Sequence, residues 1–126
     1  MFQEMDRSAG NILGFKVSGK LADSDYKTLT PIIDETTARF GKVRLLMLMD
    51  EFEGITLHAA WDDFVFMLKH RDAIERLALV GEDRWERWLA KLGRPFIKGE
   101  TEYFDKAQLD EAWQWLHADT EPQRAA

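Results

Sequence analysis

Apolar and polar positions change their spacing along the chain, and these changes predict alternating strands and helices. In NILGFKVSG, Leu13, Phe15 and Val17 recur at every second position, which is the period of a half-buried strand. FQEM has the pattern of another strand, and the turn-forming DRSAG between them predicts a hairpin. VRLLMLMD and IERLALVG are near-continuous apolar runs, which are typical of parallel strands covered on both faces.

The first two helical segments follow the hairpin and the first apolar run. KLADSDYKTLTPIIDETTARFG predicts a helix with Ser24 as N-cap and Gly41 as its stop. Pro31 inside this segment predicts either a short first turn before the main helix or a kink. In LHAAWDDFVFMLKHRD, a stripe of large apolar side chains at i, i+4, i+7 and i+11 is predicted to face the core: Leu57, Trp61, Phe64 and Leu68.

Phe66 lies about 180° from that stripe, so it is predicted to point away from the core. A large aromatic residue there favours contact with a subunit, a neighbouring segment or lipid. An ordinary exposed side chain is the alternative, because single exposed apolar residues are common.

The last third of the chain continues the alternation. EDRWERWLAKLG predicts a helix ended by Gly93, and RPFIKG with EYF predicts a last strand. DKAQLDEAWQWLHAD predicts a closing helix capped by Asp105, and residues 119–126 are expected to fray. The residues of this helix that should face inward are Leu109, Ala112, Trp113 and Leu116.

The complete order, β-β-α-β-α-β-α-β-α, predicts a single α/β domain over residues 1–126. A mostly parallel sheet of four to five strands should be covered by helices, since strands that alternate with helices form right-handed crossovers. Ligands of such sheets usually bind beyond the carboxyl ends of the strands. That edge should carry the residues at 50–54 and 81–83.

Composition excludes several classes of function. The chain has 126 residues and no Cys, so it has no disulfide framework, thiolate nucleophile or zinc–thiolate site. A net charge of −6 argues against nucleic-acid binding. No apolar run approaches the ~20 residues of a membrane span, and acids occupy the N-terminus where a signal peptide has basic and apolar regions. We therefore expect a soluble, cytoplasmic protein.

Charge is unevenly distributed along the chain. Residues 50–63 contain five acids and no Lys or Arg, which gives a local charge of −5. Residues 84–98 contain five basic residues and one acid, which gives a local charge of +4. The basic window coincides with the predicted helix at 84–93 and indicates a candidate surface for acidic partners.

Residues 10–118 resemble the SpoIIAA-like family of small bacterial STAS-type proteins. The resemblance is carried by the strand, acidic residues and Phe-x-Gly at 45–54, by KH at the end of the second helix, and by VGEDRWERWLAKL and TEYFD. It implies a four- or five-stranded sheet with helices, as in anti-sigma-factor antagonists, and a similarity to lipid-carrying CRAL-TRIO domains. It also implies binding of apolar ligands or peripheral membrane association.

One motif of the antagonists is missing from this chain. They carry an Asp-Ser-Ser-Gly-like stretch at the start of the second helix, where one Ser is phosphorylated. The corresponding residues here are EGITLHAAW, and Thr56 is the one hydroxyl in residues 50–64. We expect Thr56 to cap the helix and the phosphorylation switch to be absent.

Outside the basic helix, the sequence shows only weak candidates for ligand-binding or metal-binding sites. Asp50, Glu51 and Glu53 could bind a cation or polar ligand at the end of a strand, or could be solvated acids near a helix N-terminus. His58 and Asp62 have metal-binding i, i+4 spacing, but the sequence shows no third ligand.

The other histidines and the known motifs add no candidate site. His70 and His117 have no evident partner and are predicted to lie on the surface near helix ends. No catalytic triad order, phosphate loop or dinucleotide fingerprint is present.

RWERWLAKLGR carries the strongest functional pattern. Trp85, Trp88, Leu89 and Leu92 form one helical stripe that basic residues flank. The stripe could simply pack on the sheet. It could also be an interfacial helix, because Trp suits the headgroup boundary and each base contributes about 1 kcal/mol near anionic lipid.

These observations predict a non-catalytic binding module without metal or cofactor. Its pocket would lie between the sheet and the helices at 57–71 and 84–93 and would accept an apolar or amphipathic, lipid-like ligand, at or near the inner membrane surface. The residues predicted to line or gate it are Trp61, Phe64, Trp85, Trp88 and Leu89. Those predicted to meet acidic headgroups are Arg84, Arg87, Lys91 and Arg94.

The alternative prediction is a regulatory module of the antagonist type that binds a protein partner. Its contact loop would span residues 50–58, with Asp50, Glu51 and Thr56 as the principal contacts. A homodimer is compatible with either prediction, and an enzyme that uses the three acids ranks last.

Overall fold

The structure is a computed structural model, and it describes residues 1–81 and 99–118. The predicted helix at 84–93, its stop at Gly93, most of RPFIKG and the tail at 119–126 lie outside these residues. The strands are β1 (Phe2–Glu4), β2 (Ile12–Leu21), β3 (Val43–Ile55), β4 (Ile74–Gly81) and β5 (Glu100–Asp105). The helices are α1 (Asp23–Phe40), α2 (Leu57–His70) and α3 (Leu109–His117), with a 3₁₀ turn, Lys106–Gln108, before α3.

The five strands form one sheet in the order β1-β2-β3-β4-β5. β1 and β2 pair antiparallel, and the other three pairs are parallel. The predicted hairpin and the mostly parallel α/β sheet are therefore confirmed. Each parallel neighbour follows its partner in sequence, so the chain moves across the sheet in one direction.

Alternating side chains of the strands build a core on each face of the sheet. On one face, Phe15, Val17 and Leu45 pack with Leu29 and Ile33 of α1. On the other, strand residues pack against α3, and they are Ile12, Leu46, Leu48, Ala78 and Val80. This double coverage explains why β3 and β4 are apolar at consecutive positions.

Helix α1 is one continuous element with Pro31 inside it. The predicted Ser24 cap is wrong, because strand β2 runs to Leu21 and Ala22 occupies the N-cap position. The Asp25 carboxylate accepts a hydrogen bond from the Ala22 amide at 2.8 Å, which is one half of a capping box. Gly41 ends the helix as predicted, with the positive φ of 82° that favours glycine.

Strand β3 is longer than predicted, because it continues through the acidic residues to Ile55. Its register against β2 shifts twice, between the pairs Val17↔Met49 and Lys20↔Gly54, so this end of the strand is bulged. The prediction of a strand-to-helix loop at 50–58 is therefore wrong. The acids belong to the bulged strand end, and α2 begins two residues after it.

Helix α3 packs as predicted, with Ala112, Trp113 and Leu116 fully buried. The indole of Trp113 lies against Gly14, where a Cβ atom would overlap its six-membered ring. Two arginines from the sheet bind the C-terminal carbonyls of this helix. Arg44 donates to the carbonyls of Leu116 and Ala118 at 2.7 Å, and Arg76 donates to that of Trp115 at 2.6 Å.

Candidate functional site: the outer face of helix α2

Helix α2 is rotated half a turn from the predicted orientation. Leu57 is 92% exposed and Trp61 is 63% exposed, whereas Phe66 is 5% exposed. Phe64 and Leu68 are also exposed. The predicted core stripe of α2 therefore faces outward, and Phe66, which was predicted to point away, is in the core.

The inner face of α2 is selected by its contacts with α1. Ala59 is fully buried, and its small side chain allows close approach to the core beneath it. The Phe66 ring lies 6.4 Å from that of Tyr26 on α1. His70 is buried too, with its ring between the Phe66 carbonyl at 2.9 Å and the Asp34 carboxylate at 2.7 Å. The prediction of a surface His70 without a partner is wrong, while His117 is exposed as predicted.

We call the exposed apolar side of this helix the outer face, and its residues are Leu57, Trp61, Phe64, Val65 and Leu68. The Trp61 and Phe64 rings lie 5.7 Å apart and form its aromatic centre. The residues share one side of the helix because each lies three or four positions from another member of the set. Exposure of contiguous large apolar side chains marks a binding surface more often than scattered single exposures do.

A cleft of about 400 Å³ adjoins the outer face, between α1 and α2. Trp61 and Val65 contribute one wall, while Tyr26 and Phe66 contribute apolar surface deeper in the helix pair. Polar and charged residues also line it, and they are Asp23, Lys27, Thr30, Asp62, Lys69 and His70. An apolar wall with a charged rim suits a ligand that has an apolar body and a polar group.

A partly buried polar pair joins α1 to α2 beside the cleft. The Tyr26 hydroxyl donates a 2.9 Å hydrogen bond to the Asp63 carboxylate. Burial raises the pKa of Asp63, and the Tyr26 hydrogen bond opposes part of that rise. Burial, followed by the nearby Asp63 charge, raises the pKa of the Tyr26 phenol. The pair fixes the rotation of α2 because both groups would lose their buried partner in the predicted orientation.

Three potential metal ligands meet at the N-terminal end of the same helix pair. His58 Nε2 lies 3.6 Å from Asp23 Oδ1 and 3.9 Å from Asp62 Oδ1. The sequence pattern identified the i, i+4 pair on α2, but it could not show that α1 brings Asp23 alongside. The view that the pair lacks a third ligand is therefore wrong.

The residues predicted for a protein-binding loop have separate roles in the structure. Asp50 forms ion pairs with Lys106 at 2.9 Å and Lys16 at 3.7 Å, and the Lys106 hydrogen bond is the main cause of its lowered pKa. Thr56 caps α2, as predicted, because its hydroxyl accepts a hydrogen bond from the Ala59 amide at 3.0 Å. Glu51 is exposed and has a φ of 56°, in the left-handed region.

The structure places Trp61 and Phe64 together on the outer face, and Trp61 also lines the cleft. The remaining predicted site residues lie outside the described residues, and they are Arg84, Trp85, Arg87, Trp88, Leu89, Lys91 and Arg94. Sequence reasoning missed Val65 and Tyr26. The sequence feature that could have indicated the orientation of α2 is the position of Asp63 and His70, because their pairing with α1 defines which side of α2 faces inward.

Comparisons with known proteins agree with this fold. The SpoIIAA-like family model matches residues 12–117. The crystal structure of an uncharacterized protein with a SpoIIAA-like fold, from the DUF3478 family of Shewanella loihica PV-4, has a TM-score of 0.76 and is 30% identical. That match covers 92% of this chain and 95% of the other. No curated protein matches the chain.

No helix among the described residues combines the length and apolar character needed to cross a bilayer. The five-stranded sheet, the helices on both faces and the family match over most of the chain agree with the resemblance seen in the sequence. The chain therefore belongs to the SpoIIAA-like family.

Proposed function

We propose that this protein is a non-catalytic binding module for an apolar or amphipathic, lipid-like ligand. The ligand lies on the outer face of α2 and extends into the adjoining cleft. The observation that carries the proposal is the exposure of a contiguous apolar stripe whose opposite side is already packed. Leu57 and Trp61 lie mostly in solvent, and so their apolar character calls for an explanation other than packing.

The exposed apolar area of the outer face would supply the free energy of binding. Removing one large apolar side chain from water contributes about 1.5–3 kcal/mol. Leu57 and Trp61 offer much of that area, since both are mostly exposed. Lys27 and Lys69 stand at the cleft and can meet the acidic group of an amphiphile. A ligand with an apolar chain and an acidic head matches both features.

Peripheral membrane association is the second part of the proposal, and its support comes from the sequence. Arg84, Arg87, Lys91 and Arg94 flank the Trp-rich stripe of the 84–93 segment. Basic residues near an anionic leaflet each add on the order of 1 kcal/mol, and screening over ~8 Å lets a local patch act despite a net negative charge.

Co-sedimentation with vesicles tests both parts. The full chain is mixed with vesicles of neutral phosphatidylcholine or with vesicles that also contain anionic phosphatidylglycerol, at low and high salt. We expect binding to the anionic vesicles that weakens with salt. The double variant Leu57→Ala/Trp61→Ala should bind at least tenfold more weakly, and Arg87→Glu should remove the salt-sensitive part.

Phe40→Ala is the matched control, because Phe40 is an exposed aromatic residue at the end of α1, outside the outer face. It should bind as the unmodified protein does. Absence of binding to every vesicle would contradict the membrane part of the proposal. Undiminished vesicle binding by the double variant would contradict a role for the outer face in it.

One observation favours a second candidate function, a regulatory module that binds a protein. Glu51 is an exposed residue other than glycine in the left-handed region, a conformation that costs energy and is often kept at functional sites. A photo-crosslinking residue at position 51 should then capture a defined partner that one at the exposed Glu102 does not. Equal adducts at both positions would contradict a partner at the bulge.

A further inference from the structure

A cluster of metal-ligand side chains joins α1 to α2 at one end of the cleft. Asp23 lies in the first turn of α1, and His58 and Asp62 lie one turn apart on α2. One ligand atom from each side chain can be chosen so that all three lie within 4.8 Å of one another. Asp23 and His58 belong to different helices and lie far apart in the sequence, and the fold therefore assembles the cluster.

The distances suit a shared cation. Zinc binds nitrogen and oxygen ligands at about 2.0–2.2 Å, so two ligands of a tetrahedral zinc ion lie about 3.4 Å apart. The His58 nitrogen lies 3.6 Å from Asp23 Oδ1 and 3.9 Å from Asp62 Oδ1. Side-chain movements of a few tenths of an ångström would therefore bring the His58 nitrogen and either carboxylate oxygen to the spacing of two ligands on one ion.

The Asp62 carboxyl group provides an independent indication. Its Oδ2 is inaccessible to solvent and has no hydrogen-bond partner among the described residues. A cation bound by the Asp62 carboxylate could satisfy this oxygen.

Lys27 is the one described contact of the cluster that opposes a cation. Its Nζ lies 3.2 Å from Asp23 Oδ2, while the oxygen that faces His58 is Oδ1. The Lys27 side chain is 76% exposed, so it can move into solvent when a metal binds. Its charge should lower the affinity without blocking the ligand atoms.

We propose that Asp23, His58 and Asp62 bind a divalent transition-metal ion of the zinc class. An imidazole nitrogen favours zinc and its neighbours over magnesium or calcium, which prefer sites made of oxygen ligands alone. With three protein ligands, the fourth position is available to water or to a polar group of a ligand. Because Asp23 and Asp62 also line the cleft, the ion would place positive charge where an acidic headgroup could reach it.

The test uses the full chain without an affinity tag and zinc chloride alone, so it does not depend on the proposed lipid-like ligand. Calorimetric titration should show one zinc ion per chain, and zinc should raise the melting temperature. Calcium should produce neither effect. His58→Ala should lower zinc affinity at least about tenfold, since even loss of an outer-shell partner costs 10–100-fold. Asp62→Asn should lower it as well.

His117→Ala is the matched control, because His117 is an exposed histidine on α3, away from the cluster. It should retain the affinity of the unmodified protein. Circular dichroism checks that the variants remain folded, and either α2 variant suffices if the other unfolds. Absence of saturable zinc binding, or unchanged affinity in a folded His58→Ala or Asp62→Asn variant, would overturn the proposed site.

Discussion

Helices α2 and α3 both carry a stripe of large apolar side chains, but the stripe is buried in α3 and exposed in α2. In α3, the predicted inward residues Ala112, Trp113 and Leu116 are the buried ones. In α2, the predicted inward stripe that contains Leu57 and Trp61 is exposed. The large apolar side chains therefore mark the buried face of one helix and the exposed face of the other.

The difference arises from how apolar residues are distributed around each helix. The apolar residues of α3 fall mainly on one side, so a single arrangement buries them. Those of α2 lie on both sides, so apolar periodicity alone does not identify the side that is buried. Polar partners decide between the two sides, because Asp63 reaches Tyr26 and His70 reaches Asp34 in the observed orientation. When those pairs form, the outer face is on the opposite side of α2 and is exposed.

A tryptophan from each helix should show the largest contrast. Trp113→Ala should lower the free energy of unfolding by about 3–5 kcal/mol, because its ring is fully buried. Trp61→Ala should change it by less than about 1 kcal/mol, since most of its surface is exposed. Urea unfolding measures both values. Similar losses in the two variants would show that Trp61 is part of the core.

Two phenylalanines on α2 provide a comparison within one helix. Phe66→Ala should cost about 3 kcal/mol or more, because Phe66 packs against Tyr26 and His70. Phe64→Ala should cost only about 1 kcal/mol, because its ring is already 38% exposed and the substitution removes its contact with the Trp61 ring. The reverse order in thermal unfolding would support the orientation that the sequence pattern favoured.

The partly buried Asp63 should make the stability that α2 contributes depend on pH. Burial raises its folded-state pKa, so the stability it contributes is complete below its unfolded pKa and declines as pH rises through the folded value. Asp63→Asn removes this titration while it keeps an acceptor for the Tyr26 hydroxyl. The stability of the variant relative to the unmodified protein should therefore increase with pH. A difference that stays constant from pH 3 to pH 8 would contradict the burial of Asp63.

Glu51 should show the smallest effect. Its left-handed conformation costs a residue with a side chain roughly 1–2 kcal/mol. Glycine avoids this cost, but its greater conformational entropy in the unfolded state offsets part of the gain. Glu51→Gly should therefore stabilise the protein by about 0.5 kcal/mol, measured by chemical unfolding. Glu53→Gly is the control in the same strand end and should be destabilising.

Much of the fold could be predicted from the sequence because its signals are local. The alternation around Phe15 predicts β2, the apolar runs predict β3 and β4, and the stripe that contains Trp113 predicts α3. The parallel sheet follows from the order of these elements. The length of β3 was missed because a bulged strand can include acidic residues and a glycine without local apolar periodicity.

The candidate site was less predictable because it depends on contacts between distant residues. No periodicity shows that Asp23 will approach His58, or that Arg44 will bind the end of α3. The i, i+4 spacing of His58 and Asp62 placed two of the three clustered side chains together. The third member and the rotation of α2 follow from the packing of α1 on α2.

The central claim is that the outer face of α2 is a binding surface, and residue-specific NMR tests it most directly. Oleate, an amphiphile with an acidic head, is added to ¹⁵N-labelled protein below its critical micelle concentration. We expect saturable shifts of the amide signals of the outer face and the adjoining cleft, centred on Trp61, and their loss in Leu57→Ala/Trp61→Ala. No saturable shifts, or shifts confined to α3 and β5, would contradict the claim.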